Sequence, residues 1–229
     1  MRTIGLIGGM SWESSLEYYR LINQGVKQRL GGFHSARCLM YSVDFAEVEQ
    51  MQSSGAWDDA TALMIDAAQR LERGGADCIV ICTNTMHLMA PQVEAAVSLP
   101  LLHIVDSTAQ AICAQGIQQV ALLGTGFTMQ QPFYRERLES HGLEVMIPLE
   151  AEREIIHRVI YDELVKGILR EESREAYIRI IERMYGDGAE AVILGCTEIG
   201  LLIKPGDVTI PRFDTTALHA QSAVDFALA

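Results

Sequence analysis

The chain has 229 residues, 49% of them hydrophobic, which is typical of a globular protein with a substantial core. The formal net charge of −12 argues against a nucleic acid or an anionic membrane as partner, because both reward clustered positive charge. No apolar run reaches the roughly 18 residues that span a bilayer, and the N-terminus has no signal-peptide cleavage pattern. These features predict a cytoplasmic protein that acts on a small molecule.

Apolar, β-rich runs alternate with amphipathic segments along the chain. TIGLIG precedes a predicted helix over residues 14–29, and RCLMYSV precedes helical sequence over 57–73. The alternation continues through CIVIC, PLLHIV, QVALLG, LEVMIP, AVILG and VTIP. Continuous hydrophobic strands are expected in parallel sheets that helices cover on both faces, so the sequence predicts an α/β fold with parallel sheets.

An internal repeat indicates two pseudosymmetric lobes. IGLIGGMSWESSLEYYR resembles VALLGTGFTMQQPFYR, a Cys-Thr pair follows one apolar run in each half, and DSTA in the first half matches DTTA in the second. The predicted first lobe comprises residues 1–105 with 212–229, so that the last helix returns to it. Residues 106–211 form the predicted second lobe.

The five cysteines are an odd set without CxxC or regular spacing, which predicts free thiols rather than a disulfide framework or a metal site. Cys82 and Cys196 differ from the others because each follows an apolar strand and begins a polar segment. Ligands of open parallel sheets bind beyond the carboxyl ends of the strands, so both thiols are expected in a site between the lobes. The alternative is that each thiol fills the core, as buried cysteines commonly do.

Two thiols on opposite faces of one carbon could invert its configuration, one removing a proton and the other returning one. The reference pKa of a thiol, about 8.5, makes both protonation states accessible, and a helix N-terminus after each strand is expected to favour the thiolate. Those helix N-termini and the polar residues beside the cysteines could hold a carboxylate. The polar residues are Thr83, Asn84, Thr85 and Thr197, and Glu198 beside them is a further expected substrate contact.

The motifs CTNTMH and GCTEIGLL, with the openings IGLIGGMSWESS and ALLGTGFTM, resemble the aspartate/glutamate racemase family over nearly the whole chain, and most closely its aspartate/glutamate-specific or broad-specificity bacterial branch. The resemblance implies a cofactor-independent isomerase of amino acids with two lobes, and a homodimer. It also implies that Cys82 and Cys196 are the paired acid and base.

The resemblance suggests three further substrate contacts. Lys166 is expected to bind a substrate carboxylate, the alternative being a solvated lysine near a helix end. Met10 is expected to border the substrate, although a tight turn explains GLIGGM equally well. Gln52 stands where some aspartate racemases carry an arginine, so broader specificity, including neutral amino acids, is an open alternative.

Other assignments also stay open. Thr125 and Thr128 could line the site or cap a helix, and His87 could tune Cys82 or serve packing. Relatives with the same fold include a maleate isomerase and a malonate decarboxylase, but a decarboxylase of that kind needs one cysteine only. A small-molecule sensor would need neither thiol.

Overall fold

The computed structural model describes all residues from Met1 to Ala229 and contains two parallel sheets, which confirms the predicted α/β class. The strands are β1 (Thr3–Gly8), β2 (Arg37–Ser42), β3 (Cys78–Ile81), β4 (Gln119–Gly124), β5 (Glu144–Met146), β6 (Ala191–Gly195) and β7 (Arg212–Asp214). No helix has the length and apolar character needed to cross a membrane.

Eleven α-helices accompany the strands. They are α1 (Trp12–Leu30), α2 (Phe45–Ser54), α3 (Trp57–Arg73), α4 (Ala90–Ala96), α5 (Ile104–Cys113), α6 (Gly126–Gln130), α7 (Pro132–Ser140), α8 (Glu150–Asp162), α9 (Glu171–Gly186), α10 (Ile199–Leu202) and α11 (Thr215–Leu228). Two 3-10 segments, Thr85–Met89 and Leu164–Lys166, complete the secondary structure.

The chain divides into two compact units, Met1–His103 with His219–Ala229 and Ile104–Leu218. The sheet of the first unit has the order β2-β1-β3, and that of the second has the order β5-β4-β6-β7. The first three strands of each sheet therefore follow the same winding, as the internal repeat predicts.

In the first unit, alternate side chains of each strand enter two different core clusters, as expected for a sheet that is buried on both faces. Ile4 and Leu6 pack with Tyr18 of α1 and Val224 of α11. Ile7, from the other face, packs with apolar residues of α3.

The second unit repeats this arrangement. Ala121 and Leu123 of β4 pack with residues of α8 and α9, whereas Val120 and Leu122 pack with residues of α5 and α7. The first three strands of both units are therefore built in the same way.

The turn after β1 depends on glycine. Gly9 has a φ of 93°, and a Cβ there would lie 2.1 Å from the backbone oxygen of Val43. Its N–H donates to Ser15 Oγ at 2.7 Å, and Ser11 caps α1 by accepting a hydrogen bond from the N–H of Ser14. Gly9 therefore allows a tight turn between β1 and α1.

Two predicted apolar runs differ from the structure. PLLHIV is not a strand: only Leu101 bridges to Ile79, because α5 begins at Ile104. VTIP is not a strand either, since β7 begins after it at Arg212. Lys166, expected near a helix end, lies in the 3-10 segment that follows α8.

Candidate active site

Cys82 lies at the carboxyl end of β3, the strand beside β1, and its N–H donates to the backbone oxygen of Ile7 at 2.9 Å. The side chain is fully buried in the core cluster that contains Leu6 and Tyr18. Its Sγ lies 3.9 Å from the backbone oxygen of Val80. This thiol therefore has an apolar environment with weak hydrogen bonding.

The residues after Cys82 turn sharply and are almost all buried. Thr83 is partly exposed, whereas Asn84 and Thr85 are buried at the start of the 3-10 segment. His87 Nδ1 lies 2.8 Å from the backbone oxygen of Thr83, so this ring nitrogen carries the proton and donates it. His87 thus fixes the backbone of the turn that follows the cysteine.

Met10 and Gln52 are both buried in the first unit. Met10 belongs to the core cluster that contains Ile7, Val48 and Met86. Gln52, in the last turn of α2, has its Nε2 only 3.2 Å from the Met86 sulfur. Because Met86 lies in the turn after Cys82, the structure brings Gln52 close to that turn.

Cys196 occupies the matching position in the second unit, directly after β6. Its side chain packs in the core cluster that includes Leu194, Ile156 and Ile160, and 9% of the residue is exposed. Its Sγ lies 3.0 Å from Glu198 Oε2, and Glu198 is itself only 3% exposed. A thiol donates and a carboxylate accepts, so this is a buried, charge-assisted hydrogen bond.

Two glycines allow the strand ends to approach closely beside Cys196. A Cβ at Gly124 would lie 2.8 Å from the backbone oxygen of Gly195, and one at Gly195 would lie 2.7 Å from that of Leu123. Thr197 is buried, and Thr125 caps α6 by accepting a hydrogen bond from the N–H of Thr128 at 3.2 Å. The capping role proposed for Thr125 is therefore present.

Lys166 is far more exposed than the other predicted site residues. Its side chain is 58% exposed, and its Nζ lies 4.0 Å from the Asp162 carboxylate. Neighbouring Leu164 packs in the same core cluster as Cys196, so the 3-10 segment is anchored to that cluster. The Lys166 side chain therefore extends into solvent from a backbone that Leu164 holds in place.

Burial raises the pKa of both thiols, the opposite of the thiolate-favouring environment expected from the sequence. Desolvation is the main cause for Cys82, and a smaller contribution comes from Cys38. For Cys196, desolvation again raises the pKa most, followed by repulsion from Glu198 and its hydrogen bond. The N–H groups of Glu198 and Ile199 lower the pKa of Cys196 but do not overcome these effects. Only a 3-10 segment and a four-residue helix follow the cysteines, so the dipoles are small.

A buried histidine network in the first unit has no clear signal in the sequence. His219 Nε2 lies 2.6 Å from the backbone oxygen of Leu102, so it donates there and its Nδ1 accepts from the Tyr18 hydroxyl at 2.8 Å. The His87 ring lies 4.6 Å from that of His103 and 5.6 Å from that of His219, centroid to centroid. The sequence clue to this network is His219, a histidine on the apolar face of the last helix.

His157 in the second unit is another histidine with a specific hydrogen bond. It is half-buried, and its Nδ1 accepts a hydrogen bond from the N–H of Gly126 at 3.1 Å. Burial lowers its pKa, with a smaller opposing effect from Asp162. Together with Phe127, Gln130 and Arg153 it lines a cavity of about 270 Å³ in the second unit.

Metal binding has no support in the side-chain geometry. No group of three or more histidine, cysteine, aspartate or glutamate side chains could hold a metal ion. All five cysteines are free thiols.

Each unit is a parallel α/β domain with a cysteine at the edge of the sheet where such domains bind small molecules. The model of the Asp/Glu/hydantoin racemase family matches residues 7–223. The chain belongs to this family, which is a family of isomerases.

Solved and curated relatives agree with this assignment. A crystal structure of a Yersinia pestis protein assigned as an Asp/Glu racemase is 54% identical, with a TM-score of 0.93 and 100% coverage of both chains. An aspartate racemase homologue from Pyrococcus horikoshii is 36% identical, with a TM-score of 0.87 and 100% coverage of both chains. The broad-specificity amino-acid racemase RacX of Bacillus subtilis is 28% identical over 179 residues, which cover 75% of this chain and 74% of that protein.

Proposed function

We propose that this protein interconverts L- and D-aspartate or glutamate by a two-base mechanism without a cofactor, with Cys82 and Cys196 as the paired acid and base. The observation that carries the proposal is their equivalence. Each cysteine directly follows the strand that lies beside the first strand of its unit, and each is followed by threonine. Core packing alone gives no reason for a repeated Cys-Thr pair at these two positions.

The chemistry requires one thiolate and one thiol. The thiolate removes the α-proton from one face of the substrate, and the thiol returns a proton to the other face of the carbanion. Burial opposes ionisation of both cysteines, so one of them must give up its proton when the substrate binds. The α-ammonium group brings a positive charge that would favour this ionisation.

The residues around the two cysteines supply the proposed substrate contacts. Thr83, Asn84, Thr85 and Thr197 offer hydroxyl, amide and backbone donors for the α-carboxylate, and Met10 borders the substrate. Lys166 is proposed to bind the side-chain carboxylate, since its ammonium group is exposed and able to reach a ligand. Glu198 was expected to contact the substrate, but its observed partner is Cys196.

A broad-specificity racemase is the second candidate, favoured by Gln52. A buried amide donates hydrogen bonds to a substrate carboxylate but supplies no charge, so neutral amino acids would be excluded less strongly. The similarity to the broad-specificity amino-acid racemase of Bacillus subtilis supports the same alternative. A maleate isomerase or a malonate decarboxylase would bind substrates without an α-ammonium group.

Exchange of the α-proton in deuterated water tests the proposal directly. The protein is incubated with single-enantiomer aspartate, glutamate and neutral amino acids, with and without pyridoxal phosphate, while the α-proton signal and optical rotation are followed. We expect loss of both signals for at least one amino acid, without dependence on pyridoxal phosphate. Turnover of maleate or a malonate, with no exchange of any amino acid, would contradict racemisation.

A further inference from the structure

We propose that Cys196 and Glu198 form a buried proton-sharing pair, in which Glu198 is a positioning residue that takes up the thiol proton when Cys196 acts as the base. This inference rests on the proposed function and deepens it. The two side chains are in direct contact, with Sγ and Oε2 3.0 Å apart, and both are almost completely buried. A buried carboxylate oxygen therefore lies within hydrogen-bonding distance of the thiol.

Apolar side chains and a tyrosine pack around Cys196. Residues of β4, α6, α8 and α10 contribute to this core cluster. The titratable neighbour from α9 is Tyr177, whose hydroxyl donates to the backbone oxygen of Ile156 at 2.9 Å. Burial raises its pKa, so Tyr177 stays neutral. Glu198 is the charged side chain that raises the pKa of the Cys196 thiol.

The corresponding position in the first unit has no carboxylate. The residue two positions after Cys82 is Asn84, and an amide cannot take up a proton as a carboxylate does. Cys82 has only a long contact with the backbone oxygen of Val80. The repeat therefore places two similar thiols in different environments: Cys196 contacts a carboxylate oxygen, whereas Cys82 contacts a backbone oxygen.

The proton transfers balance as follows. The S–H proton of Cys196 moves to Glu198, which becomes a carboxylic acid, and the thiolate removes the α-proton of the substrate. Cys196 is then a thiol again, and the carbanion receives a proton from Cys82. Glu198 releases its proton to solvent, and the Cys82 thiolate regains one from solvent.

Replacing Glu198 by Gln changes the pH dependence of one half-reaction. In the unaltered protein, proton removal by Cys196 is nearly independent of pH while the pair holds one proton, since the transfer is internal. In Glu198→Gln the base is a free thiolate. Loss of the carboxylate lowers the pKa of Cys196, but burial keeps it above the ordinary value, so the rate rises about tenfold per pH unit below that pKa.

The experiment measures initial α-proton loss from the separate L- and D-substrates across pH. We expect Glu198→Gln to change the pH profile of one enantiomer only, and Glu198→Asp, which keeps a carboxylate, to restore the flat profile at a lower rate. Glu163→Gln is the matched control. Glu163 is also largely buried, with 14% of its side chain exposed, but it accepts a hydrogen bond from Ser173 rather than from Cys196. Equal changes for both enantiomers, or none, would overturn the proposal.

A second measurement does not require turnover. The infrared S–H stretch of Cys196, isolated by subtracting the spectrum of Cys196→Ser, should move to higher frequency in Glu198→Gln and stay low in Glu163→Gln. An unchanged band would show that the thiol does not donate to Glu198. If no amino acid exchanges in the unaltered protein, the proposed function fails while this spectrum still decides whether the pair exists.

Discussion

At the scale of single residues, the proposed specificity depends on which side chain brings a positive charge to the substrate carboxylate. Gln52 supplies no charge, and Lys166 is the proposed contact for the side-chain carboxylate. We expect Lys166→Ala to reduce kcat/KM for aspartate and glutamate about tenfold or more, because hydrogen bonds to charged groups contribute roughly 1.5–3 kcal/mol. Activity with neutral amino acids should change little.

Lys204→Ala is the matched control for that measurement. Lys204 is exposed, and its Nζ contacts the backbone oxygen of Gly200 at 3.3 Å. Because both lysines are solvent-exposed, neither replacement should affect folding, and steady-state kinetics can be compared directly. An equal loss for acidic and neutral substrates would assign Lys166 to the α-carboxylate, and no loss would return it to the solvated surface.

The residue scale also shows what the sequence could not predict. The positions of Cys82 and Cys196 follow from apolar runs and their polar ends, so the strand ends are predictable. The hydrogen bond between Cys196 and Glu198 depends on side-chain rotamers after the strand, which hydrophobic spacing does not encode. The sequence predicts that helix N-termini favour the thiolates, but the pKa of both thiols is raised. Burial raises the pKa more than the short helices lower it.

At the scale of elements, α1 carries an unusual outward face. Trp12, Leu16 and Tyr19 are 65%, 57% and 49% exposed, and their spacing places them on one side of the helix. Such an apolar stripe commonly marks a contact with another protein. We propose that it belongs to the interface of the homodimer that the family resemblance implies.

A charge on this face tests the dimer. Leu16→Glu should shift the protein from dimer toward monomer in sedimentation or light-scattering measurements, because the carboxylate would be desolvated at the interface. Glu17→Gln is the control on the same helix, since Glu17 pairs with Arg20 on the surface. A protein that is monomeric before substitution, or a dimer that Leu16→Glu leaves intact, would contradict the assignment of this face.

Element boundaries were predictable where apolar periodicity was long. The helix over 57–73 has the expected bounds, whereas PLLHIV was predicted as a strand and supplies only the bridge at Leu101. A short apolar run fits a strand and the buried start of a helix equally well, and here Ile104 and Val105 are buried in α5.

At the scale of the whole molecule, comparing the two repeated halves says more about function than either half alone. Two units with the same strand winding present one cysteine each, and the proposed reaction needs two. Duplication of an ancestral fold would explain the matched positions of the two cysteines. The halves nevertheless differ two positions after each cysteine, where one carries Asn84 and the other Glu198, and the proposed pair of Cys196 and Glu198 would give them separate chemical roles. Partial reactions can separate those roles.

Single replacements of the two cysteines should each abolish racemisation, reducing it roughly 10²–10⁴-fold or more, because a positioned acid or base contributes about that much. Loss of activity alone does not distinguish catalysis from packing, so exchange into D- and L-substrates is followed separately for folded Cys82→Ser and Cys196→Ser proteins. Each should still exchange the α-proton of one enantiomer with retention, and the two variants should prefer opposite enantiomers. From the family resemblance, we expect Cys82 to act on the D-form and Cys196 on the L-form.

Cys113→Ser is the control for that comparison, because Cys113 is exposed and lies outside the proposed site. It should racemise at the unaltered rate, whereas Cys82→Ser and Cys196→Ser should not. Near-normal racemisation by either catalytic variant would refute the two-base mechanism, since one remaining thiol reaches only one face of a fixed α carbon. Exchange of the same enantiomer by both variants would likewise contradict it, because the two bases would then act from the same side.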